Sequence, residues 1–202
     1  PVALLAVAGL TKSAQLPFSS WLTGAMVAPT PTSALLHSST MVKAGVYLVL
    51  RLAPLMHASV VGAFVTLTGG LTFLVAAFIA VSQSNAKKVL AYSTISNLGL
   101  IVACAGVGSP AALWAGIFLI IFHAVAKALL FLAVGSLEHR LHSREIEAMD
   151  NLILKFPLLT LMLVIGICGM FIAPFGMLIS KWAAIEAFAE LGPLMSPVML
   201  LI

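Results

Sequence analysis

Charged residues are scarce in this sequence of 202 residues: only 8% are Asp, Glu, Lys or Arg, whereas 62% are hydrophobic. The mean hydropathy is +1.18. Soluble domains carry about one-quarter charged residues, so this shortage excludes an ordinary soluble fold. The sequence also lacks the short alternating patterns of membrane β-strands, which argues against a β-barrel.

Motifs for bound cofactors are missing as well. The two cysteines, Cys104 and Cys168, stand alone in apolar segments without a metal-binding spacing, so we predict no metal or cluster site and interpret both as small core residues. No GxGxxG motif followed by an acidic residue and no Walker motif occurs, and no nucleotide or other cofactor is predicted. The net charge of +4 forms no basic patch, which argues against nucleic acid as a partner.

Apolar runs of about twenty residues recur along the chain, and each is long enough to cross a bilayer core of about 30 Å. They predict an all-α fold, a polytopic transmembrane helical bundle embedded in lipid. The sequence begins and ends inside such runs, so we interpret it as a fragment of a longer subunit, with a single transmembrane domain over 1–202. The predicted segments are Pro1–Leu16, Pro31–Leu52, Val60–Val81, Val89–Val107, Ala111–Leu137, Phe156–Ala189 and a seventh from Leu194.

Two segments contain a proline close to a lysine: Pro17 follows Lys12, and Pro174 precedes Lys181. Proline removes a backbone hydrogen bond and clashes with the preceding turn, so both helices are predicted to be broken or kinked. Broken helices with polar groups are typical of transporter sites. A simple packing kink is the alternative for either proline alone.

Loop charges predict the orientation. Two loops on one side of the predicted bundle carry most of the positive charges, whereas the loops on the other side carry only Arg51. We therefore expect the positively charged loops to face the cytoplasm, with the bundle in the cell's inner (plasma) membrane. We interpret Lys87 and Lys88 as a topology signal rather than a site. The stretch from Glu138 to Asn151 is interpreted as a solvated connector or a short interfacial helix. The positive charges on the predicted cytoplasmic side are Lys87, Lys88, Arg140, Arg144 and Lys155.

Seven titratable side chains remain inside or near the apolar segments. A charge at the centre of a membrane helix costs about 2.5–3.5 kcal/mol on insertion scales, so their retention needs a reason. A pathway for protons or cations is the usual one. The candidate pathway residues are Lys12, His37, Lys43, His123, Lys127, Lys181 and Glu186.

The spacing of these residues adds detail. His123 and Lys127 are four residues apart and therefore share one helix face, where a neutral imidazole beside an amine can pass a proton along water. His37 belongs to a polar stripe that either lines water or provides interhelical hydrogen bonds. Lys43 is expected to face different neighbours from His37. Glu186 either pairs loosely with Lys181 or reaches the far interface.

Four stretches resemble the signature of antiporter-like membrane subunits, which occur in respiratory complex I, in Mrp-type sodium/proton antiporters and in membrane-bound hydrogenases. They follow one another in the same order as in the family, and the resemblance as a whole covers nearly the whole chain. They are Lys12–Phe18, Ser33–Tyr47, Lys88–Gly99 and His123–Leu132.

The resemblance implies inverted five-helix repeats, each with a broken helix, with the end of the first at about 1–55 and most of the second at about 56–202. It implies that Lys12 is the central lysine of the first broken helix and that Lys127 joins two half-channels. Lys181 would be the residue from which protons leave, and His37 and His123 relay histidines. Leu119 replaces a second relay histidine found in many members, and the acidic partner of Lys12 is expected upstream.

By this resemblance we expect a subunit that translocates protons, or sodium ions, in a redox-driven complex of the complex I or energy-converting hydrogenase type. Ile146–Asp150 and Ala173–Trp182 look most like the hydrogenase branch. No redox centre is expected in this chain, so other membrane and peripheral subunits would be its partners. The alternatives are a subunit of a multisubunit Mrp-type antiporter and a scaffold that translocates nothing; the retained lysines argue against the scaffold.

Overall fold

The computed structural model describes residues 1–171 and 176–190. These residues contain α-helices and two short 3-10 helices, Ala25–Val27 and Ile146–Met149, and no strand. The α-helices are α1 (Val2–Lys12), α2 (Ser20–Gly24), α3 (Thr30–Ser38), α4 (Met41–Met56), α5 (Val60–Val81), α6 (Ala86–Val107), α7 (Pro110–Leu141), α8 (Leu152–Lys155), α9 (Pro157–Phe171) and α10 (Gly176–Ala189).

Five stretches are long and apolar enough to cross a membrane, counted over the described residues and with the last one running across 172–175. A helix of 22 residues, such as α5, is about 33 Å long and matches the bilayer core. The chain is thus a polytopic helical membrane protein. The stretches are Thr30–Met56, Val60–Val81, Ala86–Val107, Pro110–Leu141 and Pro157–Ala189.

The predicted second segment, Pro31–Leu52, was expected to be continuous, and this is wrong: α3 ends at Ser38 and α4 begins at Met41. Thr40 between them is not helical, with φ −104° and ψ −96°, and its hydroxyl donates to Leu35 O at 3.1 Å. Hydroxyl side chains offer the backbone such local alternatives to a helix. His37 and Lys43 therefore lie on different helices.

The other boundaries differ less. The third segment coincides with α5, whereas α7 continues to Leu141, four residues beyond the predicted end. Glu138 therefore belongs to this helix and not to a connector. The helix α1 ends at Lys12, and a non-helical stretch that includes Pro17 precedes α2. The predicted break at Pro174 and the segment from Leu194 lie outside the described residues.

Helix α6 is the centre of the bundle: 78% of its most apolar stretch is buried inside the chain, against 39% for α5. Glycines let the backbones of these two helices touch. A Cβ atom on Gly99 would lie 2.6 Å from Gly69 O and 2.7 Å from Phe73 N. Helix α7 packs against α3, α6, α9 and α10, and it thereby brings the titratable residues of several helices together.

Candidate functional site

Lys127 is completely buried in the middle of α7. Its Nζ donates to Leu90 O at 3.0 Å and to Ser93 Oγ, both on α6. Ser93 Oγ also bonds to the carbonyl of Val89 in its own helix. A buried amine without acceptors would be very costly, so the face of α6 that carries Ser93 provides the polar surroundings that Lys127 needs.

A second buried contact joins α4 to α7: Lys43 Nζ lies 2.8 Å from His123 Nδ1. Lys43 is 6% exposed and His123 is completely buried. When the lysine is an ammonium it can only donate, so Nδ1 accepts and the ring proton resides on Nε2. Within the described residues that Nε2 has no hydrogen-bond partner.

His37 on α3 is also completely buried. Its ring packs against Phe131 of α7, with the ring centroids 4.8 Å apart. Neither ring nitrogen bonds to any group in the part of the chain that the structure describes, and the hydroxyl of Ser33, one turn earlier, is in the same situation. Buried polar groups are usually paired with protein or ordered water. Among the described residues, His37 and Ser33 thus keep free hydrogen-bonding groups in the interior.

Lys127 and Lys181 line the same cavity, of about 460 Å³, between α5, α6, α7, α9 and α10. Its wall is mainly apolar, with Ser93, Ser96 and Asn97 of α6 as additional polar groups. Lys181 is half-buried, donates to Met170 O at 3.3 Å and places its Nζ 5.0 Å from the centre of the Phe171 ring. The two lysines thus share a chamber although they are 54 residues apart in sequence.

Two predicted residues are not brought to this cluster. Lys12 is exposed at the end of α1. Glu186 is exposed on α10 and makes no ion pair with Lys181 among the described residues. Lys43 and His37 contact different neighbours, as expected, but both neighbours lie on α7.

The prediction that Lys87 is a loop charge was wrong. Lys87 lies in the first turn of α6, is 2% exposed and forms an ion pair with Glu138 at 2.6 Å. Arg144 binds the other carboxylate oxygen. Sequence reasoning missed this pair because the predicted ends of the two helices excluded both residues. The available signal was that Lys87 shares a helix face with Leu90 and Thr94.

Together, the fold and the site define a class: a polytopic helical membrane protein with paired lysines and histidines in its interior. The sequence matches the family described as "NADH:quinone oxidoreductase/Mrp antiporter, TM" over residues 2–202. The chain belongs to this family.

Similar proteins include the "Putative antiporter subunit mnhA2" of Staphylococcus aureus (strain MRSA252), 39% identical over 96% of this chain and 26% of that protein. A probable K(+)/H(+) antiporter protein of Rhizobium meliloti (strain 1021) is 46% identical over 77% of this chain and 16% of its own length. The chain thus spans about a quarter or less of these curated relatives.

Two solved structures are similar in fold. The Mrp complex from Dietzia sp. DQ12-45-1b has a TM-score of 0.86 and 34% identity, covering 99% of this chain and 23% of that one. The membrane-bound sulfane sulfur reductase, an archaeal respiratory membrane complex, has a TM-score of 0.85 and 27% identity, covering 99% of this chain and 43% of that one. The relatives are subunits of multisubunit membrane complexes.

Proposed function

We propose that this chain is the ion-translocating part of an antiporter-like subunit, in which protons, or sodium ions, cross the membrane with the help of buried lysines and histidines. The observation that carries the proposal is the contact between Lys43 and His123, two buried titratable groups on different helices. Two further amines, those of Lys127 and Lys181, line one cavity.

The Lys43–His123 contact has the chemistry of a proton relay. Transfer of one proton from the ammonium to Nδ1 leaves a neutral amine and an imidazolium. The imidazolium then releases the other proton from Nε2, on the opposite side of the ring, so the ring passes a net charge across itself. A new proton on Lys43 and a change of tautomer restore the starting state.

The Lys127 site supports a second step. The Ser93 hydroxyl both accepts and donates, and it joins the Lys127 amine to the shared cavity. A proton released by Lys127 would reach Lys181 through water in this cavity, which both lysines line. We propose the family roles for these residues: Lys127 joins two half-channels, Lys181 releases protons and His37 and His123 relay them. Lys12 would belong to the first repeat, and Glu186 is the weakest member of the set.

Two kinds of complex are candidates for this subunit. The relatives named as antiporter components favour the Mrp-type alternative over the hydrogenase branch that Ile146–Asp150 and Ala173–Trp182 predicted. The similarity to a respiratory membrane complex keeps a redox-driven assembly as the second candidate. The neighbouring genes distinguish the two: small antiporter subunits would support Mrp, and dehydrogenase or hydrogenase subunits would support the redox complex. In either case we propose that the loops next to Lys87, at the start of α6, and Arg140, at the end of α7, face the cytoplasm.

The scaffold alternative is tested at Lys127 in vesicles that contain the whole complex. Both Lys127→Ala and Lys127→Arg should reduce ion transport per assembled complex by about tenfold or more, since the first removes the proton carrier and the second keeps its proton at working pH. Lys155→Ala removes the same charge at an exposed position of α8 and serves as the control. Full transport by both Lys127 variants would contradict the proposal.

A further inference from the structure

A second, larger cavity of about 1090 Å³ opens at the loop end of α7. We call it the mouth cavity. It lies where α3 and α6 begin and α7 ends, next to the loop that follows α7. Its wall includes six charged or polar side chains: Thr30, Lys87, Glu138, His139, His142 and Arg144.

Glu138 is the centre of this wall. Its carboxylate accepts from Lys87 Nζ at 2.6 Å, from Thr30 Oγ1 at 3.2 Å and from Arg144 Nε. Gly135 permits the contact with Thr30, because a Cβ atom at this position would lie 2.1 Å from Thr30 Cγ2. Exposure rises from the inside outwards: Lys87 is 2% exposed, Glu138 19% and Arg144 44%. The carboxylate thus lies between a buried amine and the cavity.

Stability alone does not explain this pair. A lysine in the first turn of a helix and a glutamate in the last turn both oppose the helix dipole, and removal of an amine from water costs several kcal/mol. The two loops are already joined without it. Ala86 N donates to Arg144 O at 3.0 Å and Ile146 N donates to Ser84 O at 2.9 Å.

Lys87, in the wall of the mouth cavity, belongs to the same helix that binds Lys127. It lies one turn before Leu90 and six residues before Ser93, about 9 Å along the helix axis. Leu90 O and Ser93 Oγ are the two groups that bind Lys127. Glu138 holds the Lys87 amine at the loop end of α6, and the inner cavity that Lys127 lines extends along the same helix as far as Ala86, next to Lys87.

We propose that the Lys87–Glu138 pair is the water-facing end of the route to Lys127, where Glu138 exchanges protons with water in the mouth cavity and Lys87 passes them inward. This inference rests on the proposed function. It adds a residue pair and an entrance that the resemblance did not assign.

Inward movement of one proton takes three transfers. The Lys87 ammonium gives a proton, through water beside Leu90 and Ser93, to a neutral Lys127 amine. A hydronium ion in the mouth cavity protonates the Glu138 carboxylate and becomes water. The carboxylic acid then gives its proton to the neutral Lys87 amine. The ion pair is restored, and one proton has moved from the cavity to Lys127.

The test compares Glu138→Gln with Glu147→Gln in vesicles that contain the complete complex. Both variants remove one negative charge, but Glu147 is exposed outside the pair. In Glu138→Gln the amide oxygen still accepts from Lys87 and Thr30, but the amide group cannot take up and release a proton as a carboxylate does. We expect transport per assembled complex to fall about tenfold or more for Glu138→Gln and to stay at the wild-type level for Glu147→Gln. Equal transport by the two variants would overturn the inference.

Lys127→Ala, measured in the same vesicles, separates this inference from the proposed function. Loss of transport in Lys127→Ala with full transport in Glu138→Gln refutes only the entrance. Retained transport in Lys127→Ala refutes the function itself. Should Glu138→Gln fail to assemble, a cysteine at Ser136, which lines the mouth cavity, gives a second measurement in a chain whose Cys104 and Cys168 are replaced by alanine. Reaction with a membrane-impermeant maleimide from the loop side supports a water-filled mouth, and no reaction overturns it.

Discussion

Lys127 and Lys12 correspond by resemblance to two pathway lysines of one family, yet their surroundings differ completely. Lys127 is enclosed by α6 and α7, and two groups of α6 accept its hydrogen bonds. Lys12 ends α1 with its side chain exposed. The Lys127 amine thus has hydrogen-bond acceptors inside the bundle, whereas the Lys12 side chain is exposed.

The difference shows which region can be understood from this chain alone. The interior between α6 and α7 has the acceptors, the cavity and the close helix contacts that a buried amine requires. For Lys12, an acidic partner is expected upstream by resemblance alone. Substitutions in the first region therefore test contacts that the structure shows, whereas substitutions at Lys12 test a partner that is only expected.

The largest effect on stability is expected at the contact between α5 and α6. Gly99→Ala forces a methyl group against the backbone of α5, at 2.6 Å and 2.7 Å from its atoms, and overpacking costs about 1–3 kcal/mol or more. Gly24→Ala at the end of α2 is the control, because nothing lies within 4 Å of a Cβ atom there. The measurement is the thermal unfolding of the purified complex in detergent. Equal midpoints for both variants would contradict the close packing of the interior.

The next effect concerns the Lys43–His123 contact. Lys43→Met, His123→Leu and the double variant form a thermodynamic cycle, and a hydrogen bond to a charged group predicts a coupling of about 1.5–3 kcal/mol in unfolding free energy. His139, exposed at the end of α7, gives a control cycle of Lys43→Met with His139→Leu. Its coupling should be near zero. Equal couplings in the two cycles would mean that the buried contact contributes nothing.

The sequence predicts the fold best where helices are long and bounded by clear signals. The third segment coincides with α5, because Ser59 caps its first turn through a bond from Gly62 N and Ser82 follows its last residue. The hydropathy pattern did not predict the break between α3 and α4 at Thr40. One polar residue hardly changes an apolar average, although its hydroxyl competes with the helix for backbone bonds.

The sequence indicated that Lys43 and Lys127 lie inside the bundle, but it did not indicate their contacts. An amine in an apolar segment indicates a buried site, and this identified Lys43 and Lys127. Helix spacing relates residues of one helix only, so it placed Lys127 beside His123 and could not pair Lys43 with that histidine across two helices. The Lys87–Glu138 pair was missed for the same reason, since its two charges lie at the ends of different helices.

A smaller effect is expected from Ser93→Ala. The variant removes one of the two acceptors of Lys127 and leaves Leu90 O in place, so the expected loss of stability is about 1–2 kcal/mol. Transport per assembled complex should fall as well, because the serine hydroxyl joins the amine to the inner cavity. Ser82→Ala, at an exposed position after α5 where the hydroxyl donates to Ile79 O, should change neither quantity. An unchanged Ser93→Ala protein would exclude the hydroxyl from the route.

The smallest effect on stability is expected for Lys12→Met, where relay and scaffold differ most clearly. Methionine keeps most of the length and packing of the side chain but removes its charge. Because Lys12 is exposed and forms no ion pair among the described residues, a neutral side chain of similar size should leave the unfolding midpoint nearly unchanged.

Function distinguishes the two hypotheses at the same position. A scaffold would assemble with Lys12→Met and transport as many ions per unit of driving reaction as the wild type. A relay would assemble equally well but lose about tenfold or more of its transport, because the proton carrier is gone while the packing remains. The measurement is ion movement in sealed vesicles, divided by redox turnover or by the opposing ion flux, with Lys88→Met at an exposed position of α6 as the control. A ratio equal to that of the control would remove Lys12 from the pathway and leave its other proposed members in place.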